Sequence, residues 1–593
     1  MTAEKVPSKK KVPKVKEIKK PLIAGGIIAV IAIAGLISGI IILGEIDETT
    51  GDTLVIGVAG TLNFLDPIEG WGEDSSALIT QIVTEALFSV EGTYNSSRLI
   101  PNLATGSDWS DNKTELTCTL RENVEFHDGA PFNATAVKWN IDRIQRLATV
   151  PIDSWGGETC ARLWQFPDGN WIINETKVLD EYTVKFVLNK PFAPLRSLLA
   201  MPVSLMLSPS STPDNEFNGI IPGTLYGTGA FIYSAYEGGN NVTLSPNPDY
   251  WGGRPAFDDV IIKLYPNDTV RYEAMLSGEL SFTFAGYPWS DEDRVLLMNT
   301  TGIELERIPG PFPGMYYIFM NNNVINATMR KAISYAFNFS AYVSLFDHFL
   351  KPVSSIFPPI RAESPIPKGM LYSHWGSFDM PYFNISIARQ ALKDANWPGT
   401  ENLTADEDIS PGNEWELLVT NGTQLATYNL TYPIDGIFGD EYLYIMLNEN
   451  LKQIGVKLER GLVTFEDLFA MLGEYDGKNR NMLGIIKAGG WVSDYNDPYT
   501  IINPVFSSKD DEFINYGQVN DSLVQQWMEE AVEETNETVR EQIYFNIEKR
   551  LIEEVYPVIW CEVFYIYETY VSNLHWLHAP DLGVFTIKDW YFD

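Results

Sequence analysis

The chain of 593 residues carries a formal net charge of −36, and 13% of its residues, including 16 tryptophans, are aromatic. A balance this acidic excludes nucleic acid as a partner, because phosphates need a basic footprint. The aromatic content excludes a disordered chain, and three cysteines and five histidines without metal-ligand spacing leave no metal or other cofactor to predict.

The first element is a basic tail over residues 1–20 with eight lysines, followed by an uncharged apolar run from Pro21 to Gly44. As a helix that run spans about 36 Å, enough for a hydrocarbon core of about 30 Å. Lysine clusters stay on the cytoplasmic side, so the pattern predicts a single-pass transmembrane helix over 21–44 with the bulk of the chain extracellular. A cleaved signal peptide is the rival, but Glu45, Ile46, Asp47 and Glu48 make a poor cleavage site. Residues 45–51 read as an acidic linker. Fifteen Asn-x-Ser/Thr sequons, all beyond the apolar run, also place the chain outside the cell. Chance would give about a third as many, so glycosylation is an expectation.

Thr53–Val58 reads as a buried strand and Leu78–Val90 as a helix with one broad apolar face. In Glu115–Phe126, Leu116, Cys118 and Leu120 alternate with polar residues, as in a half-buried strand. His127-Asp-Gly-Ala-Pro131 is turn chemistry. Asn133 stands where an N-cap belongs, ahead of Val137, Ile141 and Ile144 at helical spacing. Lys177–Leu188 reads as a hairpin and Tyr226-Gly-Thr-Gly-Ala230 as a tight turn. Tyr316–Asn321 reads as a buried strand. Helical patterns cover Thr269–Ser277, Thr328–Phe337, Ile385–Ala395, Glu441–Ile454 and Ser522–Val555. Interleaved strands and helices argue for an α/β protein. Cys118 and Cys160 are either a disulfide or two core thiols; the sequence leaves both open.

The order of several fragments resembles the family 5 extracellular solute-binding proteins of ABC importers, the oligopeptide, dipeptide and nickel-binding group. The fragments are Leu99-Ile-Pro-Asn-Leu-Ala104 with Trp109; Leu120-Arg-Glu-Asn-Val-Glu-Phe-His-Asp-Gly129; Gly227-Thr-Gly229 with Asn247-Pro-Asp-Tyr-Trp251; Ser277-Gly-Glu279; Met329-Arg-Lys-Ala-Ile-Ser-Tyr-Ala336; Ala388-Arg-Gln-Ala-Leu392 with Trp397; and Trp491-Val-Ser-Asp-Tyr-Asn-Asp-Pro498. Ala136 and Ser281 depart from acidic residues common in the family.

The resemblance implies a two-lobed periplasmic-binding-protein-like fold (type II, class C) with a subdomain inserted in the first lobe. It assigns 52–90 to lobe 1, 91–221 to the insertion, 222–312 to lobe 1 again, 313–558 to lobe 2 and 559–593 to the end of lobe 1. The crossings fall near Pro309–Tyr317 and Tyr556–Glu562, with Gly310-Pro-Phe-Pro-Gly314 bordering the hinge. The implied function is a membrane-anchored, monomeric receptor that captures oligopeptides and delivers them to an ABC permease. Oligosaccharides, bound by some archaeal and thermophilic members, are the alternative ligand.

The resemblance makes Asp494 the receiver of a peptide's α-ammonium group, because a carboxylate and an ammonium form a short charge-assisted bond. Capping of the loop before Pro498 is the structural alternative for Asp494. Trp491 and Tyr495 either line the cleft or pack the segment. Lys487 is a candidate for a peptide carboxylate, and Gly227, Thr228 and Gly229 for the cleft mouth. A hydrolase is the remaining class. The chain holds no Gly-x-Ser-x-Gly elbow and no His-Glu-x-x-His motif, and His127-Asp128 sits in turn chemistry.

Overall fold

The computed structural model describes residues 52–70, 74–93, 96–147, 160, 162–221, 223–284, 296–307, 314–349, 360–406, 409–434, 440–473, 484–487, 490–508, 514–563, 567–576, 585 and 587–593. The basic tail, the expected transmembrane helix and the linker lie outside these residues, as does most of the hinge border at 310–313. Among the described residues no helix is long and apolar enough to cross a membrane.

Two seven-stranded mixed sheets form the frame. The first runs in the order β12 (Ile303–Arg307), β20 (Tyr567–Val571), β11 (Phe282–Phe284), β1 (Thr53–Ala59), β10 (Asp259–Tyr265), β9 (Asn241–Pro246), β8 (Phe231–Glu237). Strand β1 is parallel to both β10 and β11, and a strand held on both sides by parallel neighbours takes a near-continuous apolar run such as TLVIGVA. The second sheet runs β14 (Ile360–Arg361), β19 (Val558–Val563), β13 (Gly314–Met320), β17 (Ile485–Ile486), β15 (Ala426–Pro433), β16 (Val456–Val463); β18 (Gly490–Val492) also pairs with β13. The chain passes between the sheets twice, after Arg307 and after Val563. The strands flanking both passages are paired: Arg307 lies opposite Tyr567 in the first sheet and Tyr316 opposite Glu562 in the second.

Between β1 and β8 the chain builds a separate unit. A hairpin of β2 (Phe88–Thr93) and β3 (Ser96–Pro101) leads into a four-stranded antiparallel sheet. Its order is β4 (Ala104–Trp109), β5 (Glu115–Leu120), β7 (Thr183–Leu188), β6 (Ile173–Asp180). The alternation in β5 does what its period requires, burying Leu116, Cys118 and Leu120. Helix α2 (Ala134–Leu147) packs on β6 and β7, after α1 (Asp74–Val83) on the first sheet. Cys118 and Cys160 are both buried free thiols, as is Cys561, so the disulfide alternative falls.

Four further helices match the predicted spans closely: α3 (Asp268–Leu276), α4 (Ala327–Ala336), α5 (Ile385–Asp394) and α6 (Asp440–Lys452). Two spans are corrected. The helix predicted over 78–90 ends at Val83, because Gly229 N–H takes the Val83 carbonyl at 3.0 Å. The Thr84 hydroxyl also donates back to the Thr80 carbonyl at 2.6 Å, and the chain then becomes extended at β2. The single helix predicted over 522–555 is two, α7 (Ser522–Glu533) and α8 (Glu537–Arg550), followed by wider π-type turns over Leu551–Val555. Asn536 breaks it by capping α8 through Val539 N–H at 3.1 Å.

Asn536 belongs to a pattern. Six sequon asparagines (Asn133, Asn267, Asn326, Asn338, Asn384 and Asn536) each accept a hydrogen bond from the backbone N–H three residues on. Helix starts therefore account for part of the sequon excess.

Candidate functional site

The segment from Gly490 to Thr500 leaves β18 and returns to the second sheet unit as a closed loop. Gly490 is required at its start, since a Cβ there would lie 2.3 Å from the Met315 carbonyl oxygen. Trp491, opposite Met315 in the β18–β13 pair, donates its indole N–H to the Thr500 carbonyl at 2.7 Å and ties the loop's ends together. The four residues from Asp494 to Asp497 then take four different directions.

Asp494 is half-buried, and its carboxylate has no hydrogen bond or ion pair among the described residues. Burial pushes its carboxyl up to about 7. Tyr495 is buried and belongs to the hydrophobic core of the β2–β7 unit. Asn496, 1% exposed, donates from Nδ2 to Ser97 Oγ at 2.8 Å and accepts from Leu371 N–H at 3.0 Å. Its carbonyl accepts from the Ser197 hydroxyl at 3.1 Å. Asp497 accepts both arms of the Arg540 guanidinium at 2.5 and 2.8 Å. It also accepts from Tyr499 N–H at 2.9 Å, so the capping offered as the alternative for Asp494 is performed by Asp497. Arg540 in turn lies 5.3 and 5.2 Å from the ring centroids of Tyr372 and Tyr544.

Lys487, just after β17, is buried with its ammonium 5.2 Å from the Tyr316 ring centroid. The Gly227-Thr228-Gly229 turn is held elsewhere. A Cβ at Gly227 would sit 2.3 Å from the Val83 carbonyl oxygen, and one at Gly229 2.7 Å from that of Ile82. Thr228 is buried and donates its hydroxyl to Glu85 at 2.8 Å. Glu85 also accepts from Tyr250 and Trp251 at 2.9 and 2.8 Å, while burial raises its carboxyl above the usual range. Among the described residues the turn's hydrogen bonds run to His127, Asn247, Glu85 and the end of α1, not to the 490–500 loop. The turn's small residues are thus explained by close packing against α1.

His127 staples the same turn, and Asp128 beside it holds the 208–211 segment. His127 Nε2 lies 2.9 Å from the Gly229 carbonyl oxygen, and burial lowers the ring to about 4, so neutral imidazole donates there. Asp128 accepts from Ser208 at 2.6 Å and from Ser211. Sequence reasoning missed Ser97, Ser197, Asn496 and Arg540. Ser97, Ser197 and Asn496 are short polar residues with no pattern of their own and partners 299 to 399 positions away, and Arg540 meets Asp497 43 positions back, beyond any local signal.

This topology, two mixed sheets joined by two passages with paired flanking strands, is that of the periplasmic-binding-protein-like fold. A sequence profile described as "Bacterial extracellular solute-binding proteins, family 5 Middle" matches residues 98–513, and the chain belongs to that family. It is 25% identical over 517 residues to the probable D,D-dipeptide-binding periplasmic protein DdpA of Escherichia coli, covering 85% of this chain and 87% of that one. The structure of HbpA2 from Haemophilus parasuis is similar with a TM-score of 0.72 at 18% identity, covering 91% and 100% of the two chains. The periplasmic binding protein DppA from Helicobacter pylori, in complex with the peptide STSA, has a TM-score of 0.62 at 18% identity over 92% and 100%.

Proposed function

We propose that this chain captures oligopeptides outside the cell and hands them to the permease of an ABC importer, with Asp494 receiving the peptide's α-ammonium group. The observation that carries the reading is the state of Asp494: a half-buried carboxylate with no partner among the described residues, on a loop whose Trp491, Asn496 and Asp497 side chains are all hydrogen-bonded. Such a group costs solvation until a cation reaches it, so a ligand ammonium is stabilised there by a charge-assisted bond. The peptides in the names of DdpA and of the DppA complex agree with it. Lobe 1 comprises 52–90, 222–312 and the chain after Val563, with 91–221 inserted, and lobe 2 comprises 313–563, because β19 (Val558–Val563) pairs with β13 and so moves the return crossing past the 558 read from the sequence. The clamp closes as lobes hinge about the two passages. Lys487 and Trp491 stand near enough in the chain to complete the ligand's surroundings.

The basic tail and apolar run tether the monomeric clamp to the membrane. Exposed sequon asparagines such as Asn267 and Asn326 use Oδ1 as a helix cap and leave Nδ2 for a glycan. The test is calorimetry of the full chain with a pool of tri- to hexapeptides, each also in α-acetylated form. Binding of the free peptides and a large loss on acetylation is the expected result. Binding of oligosaccharides with no heat from any peptide overturns the ligand assignment.

A further inference from the structure

We infer that Asn496 is the catch that fastens the two lobes of the clamp, a positioning residue that ties closure to occupancy at Asp494. The inference rests on the two-lobe reading above. The Asn496 side chain and carbonyl join three distant segments: Ser97 in β3, Ser197 after β7, and Leu371 in the 360–376 loop of lobe 2. Both serines belong to the insertion of lobe 1. Ser97 extends the grip, since its N–H donates to the Gly369 carbonyl at 3.0 Å and its hydroxyl points to the same oxygen.

Other contacts surround the catch. Phe192 and Tyr499 meet edge to face at 5.4 Å, and Tyr495 is buried in the insertion's core. The Ala193 N–H donates to the Val532 carbonyl at 2.7 Å, and Lys113 pairs with Glu534 at 2.9 Å. These contacts supply area, whereas Asn496 supplies register, because a buried amide bonded through both its Nδ2 and its Oδ1 fits one arrangement. The loop carrying it is rigid on the lobe 2 side through Trp491–Thr500 and Asp497–Arg540. A ligand that settles the loop at Asp494 therefore settles Asn496 two residues on, and by linkage a fastened Asn496 favours the ligand.

The test uses the full chain in detergent with dyes on Lys177→Cys in the insertion and Glu459→Cys in lobe 2, the native thiols being buried. Distance distributions are recorded with and without a pool of tri- to hexa-alanine. Asn496→Ala is expected to shift the peptide-free distribution toward longer distances and to weaken peptide binding about tenfold, mainly through faster release. Ser97→Ala, which removes the partner from the other lobe, is expected to act in the same direction. The double variant is expected to go no further than Asn496→Ala alone. Asp494→Asn is expected to weaken peptide binding while leaving the peptide-free distribution in place. Peptide-free distributions of Asn496→Ala and Ser97→Ala that match the parent overturn the catch. A parent that binds no peptide, with Asn496→Ala still opened, sinks the ligand assignment and leaves the catch standing.

Discussion

Arg540 on α8 holds both carboxylate oxygens of Asp497, at 2.5 and 2.8 Å, with both side chains at most 4% exposed. This fork–fork pair fixes the base of the loop from which Asp494 projects. Arg540→Met leaves Asp497 buried without its cation, which costs about 3–5 kcal/mol. Denaturant unfolding is expected to show a loss of that size. Arg540→Lys is expected to recover part of the stability but less of the ligand affinity, because an ammonium cannot hold both oxygens in the planar geometry.

Asp494 makes stability and binding respond to pH in opposite directions. Its carboxyl titrates at about 7 in the folded chain, against about 4 in an unfolded one. Between these values the folded state holds a proton that the unfolded state has lost, so stability falls as pH rises through the window. Asp494→Asn is expected to remove that slope, with a higher Tm than the parent at pH 8 and little difference at pH 3. Peptide affinity runs the other way, strengthening as the carboxylate forms and levelling above about pH 7. Calorimetry in two buffers of different ionisation enthalpy is expected to show proton release on binding near pH 6. An affinity flat from pH 5 to 8 would remove Asp494 from the site.

The Gly227 and Gly229 turn is expected to behave as structure. A Cβ at either position meets carbonyl oxygens of α1 at 2.3 and 2.7 Å, which the helix cannot yield. Gly227→Ala is expected to destabilise by about 1–3 kcal/mol or more, the range for overpacking, and any affinity loss should follow the lost folded fraction. A variant with an unchanged Tm and lost peptide binding would place the turn at the ligand.

Burial pushes the Cys118 thiol up to about 12 and the Cys160 thiol higher still. The native chain is expected to resist maleimide for hours at pH 8, then to take up three equivalents at once in guanidinium without reductant. Uptake of one equivalent would restore the Cys118–Cys160 disulfide.

Much of the frame was legible because its signals are local and repeat. The alternation around Cys118, the apolar Tyr316–Met320 strand and the Asn133 cap each follow from neighbours within a few residues. The same locality explains the misread helices. The end of α1 is set by Gly229, far along the chain, while the break at Asn536 was written in a sequon and read as a glycan signal instead of a cap. The site was legible as a segment but not as a set of roles. Asp494 reads as the receiver of an ammonium and Trp491 and Tyr495 as either cleft lining or packing, and the pattern does not say that Trp491 ties the loop while Tyr495 is core. Asn496 went unnoticed because its partner Ser97 lies 399 residues away.

The strand order carries a consequence for how this chain is made. Strand β20 sits between β12 and β11, and β19 between β14 and β13, so each sheet waits for the strand next to its edge, encoded near the end of the message. Until the ribosome passes Val571, β12 and β14 lack their partners, and the waiting strands β11 and β13 expose unpaired edges that invite aggregation. A premature stop before Val558 therefore leaves both sheets open at an edge rather than merely shortening the chain.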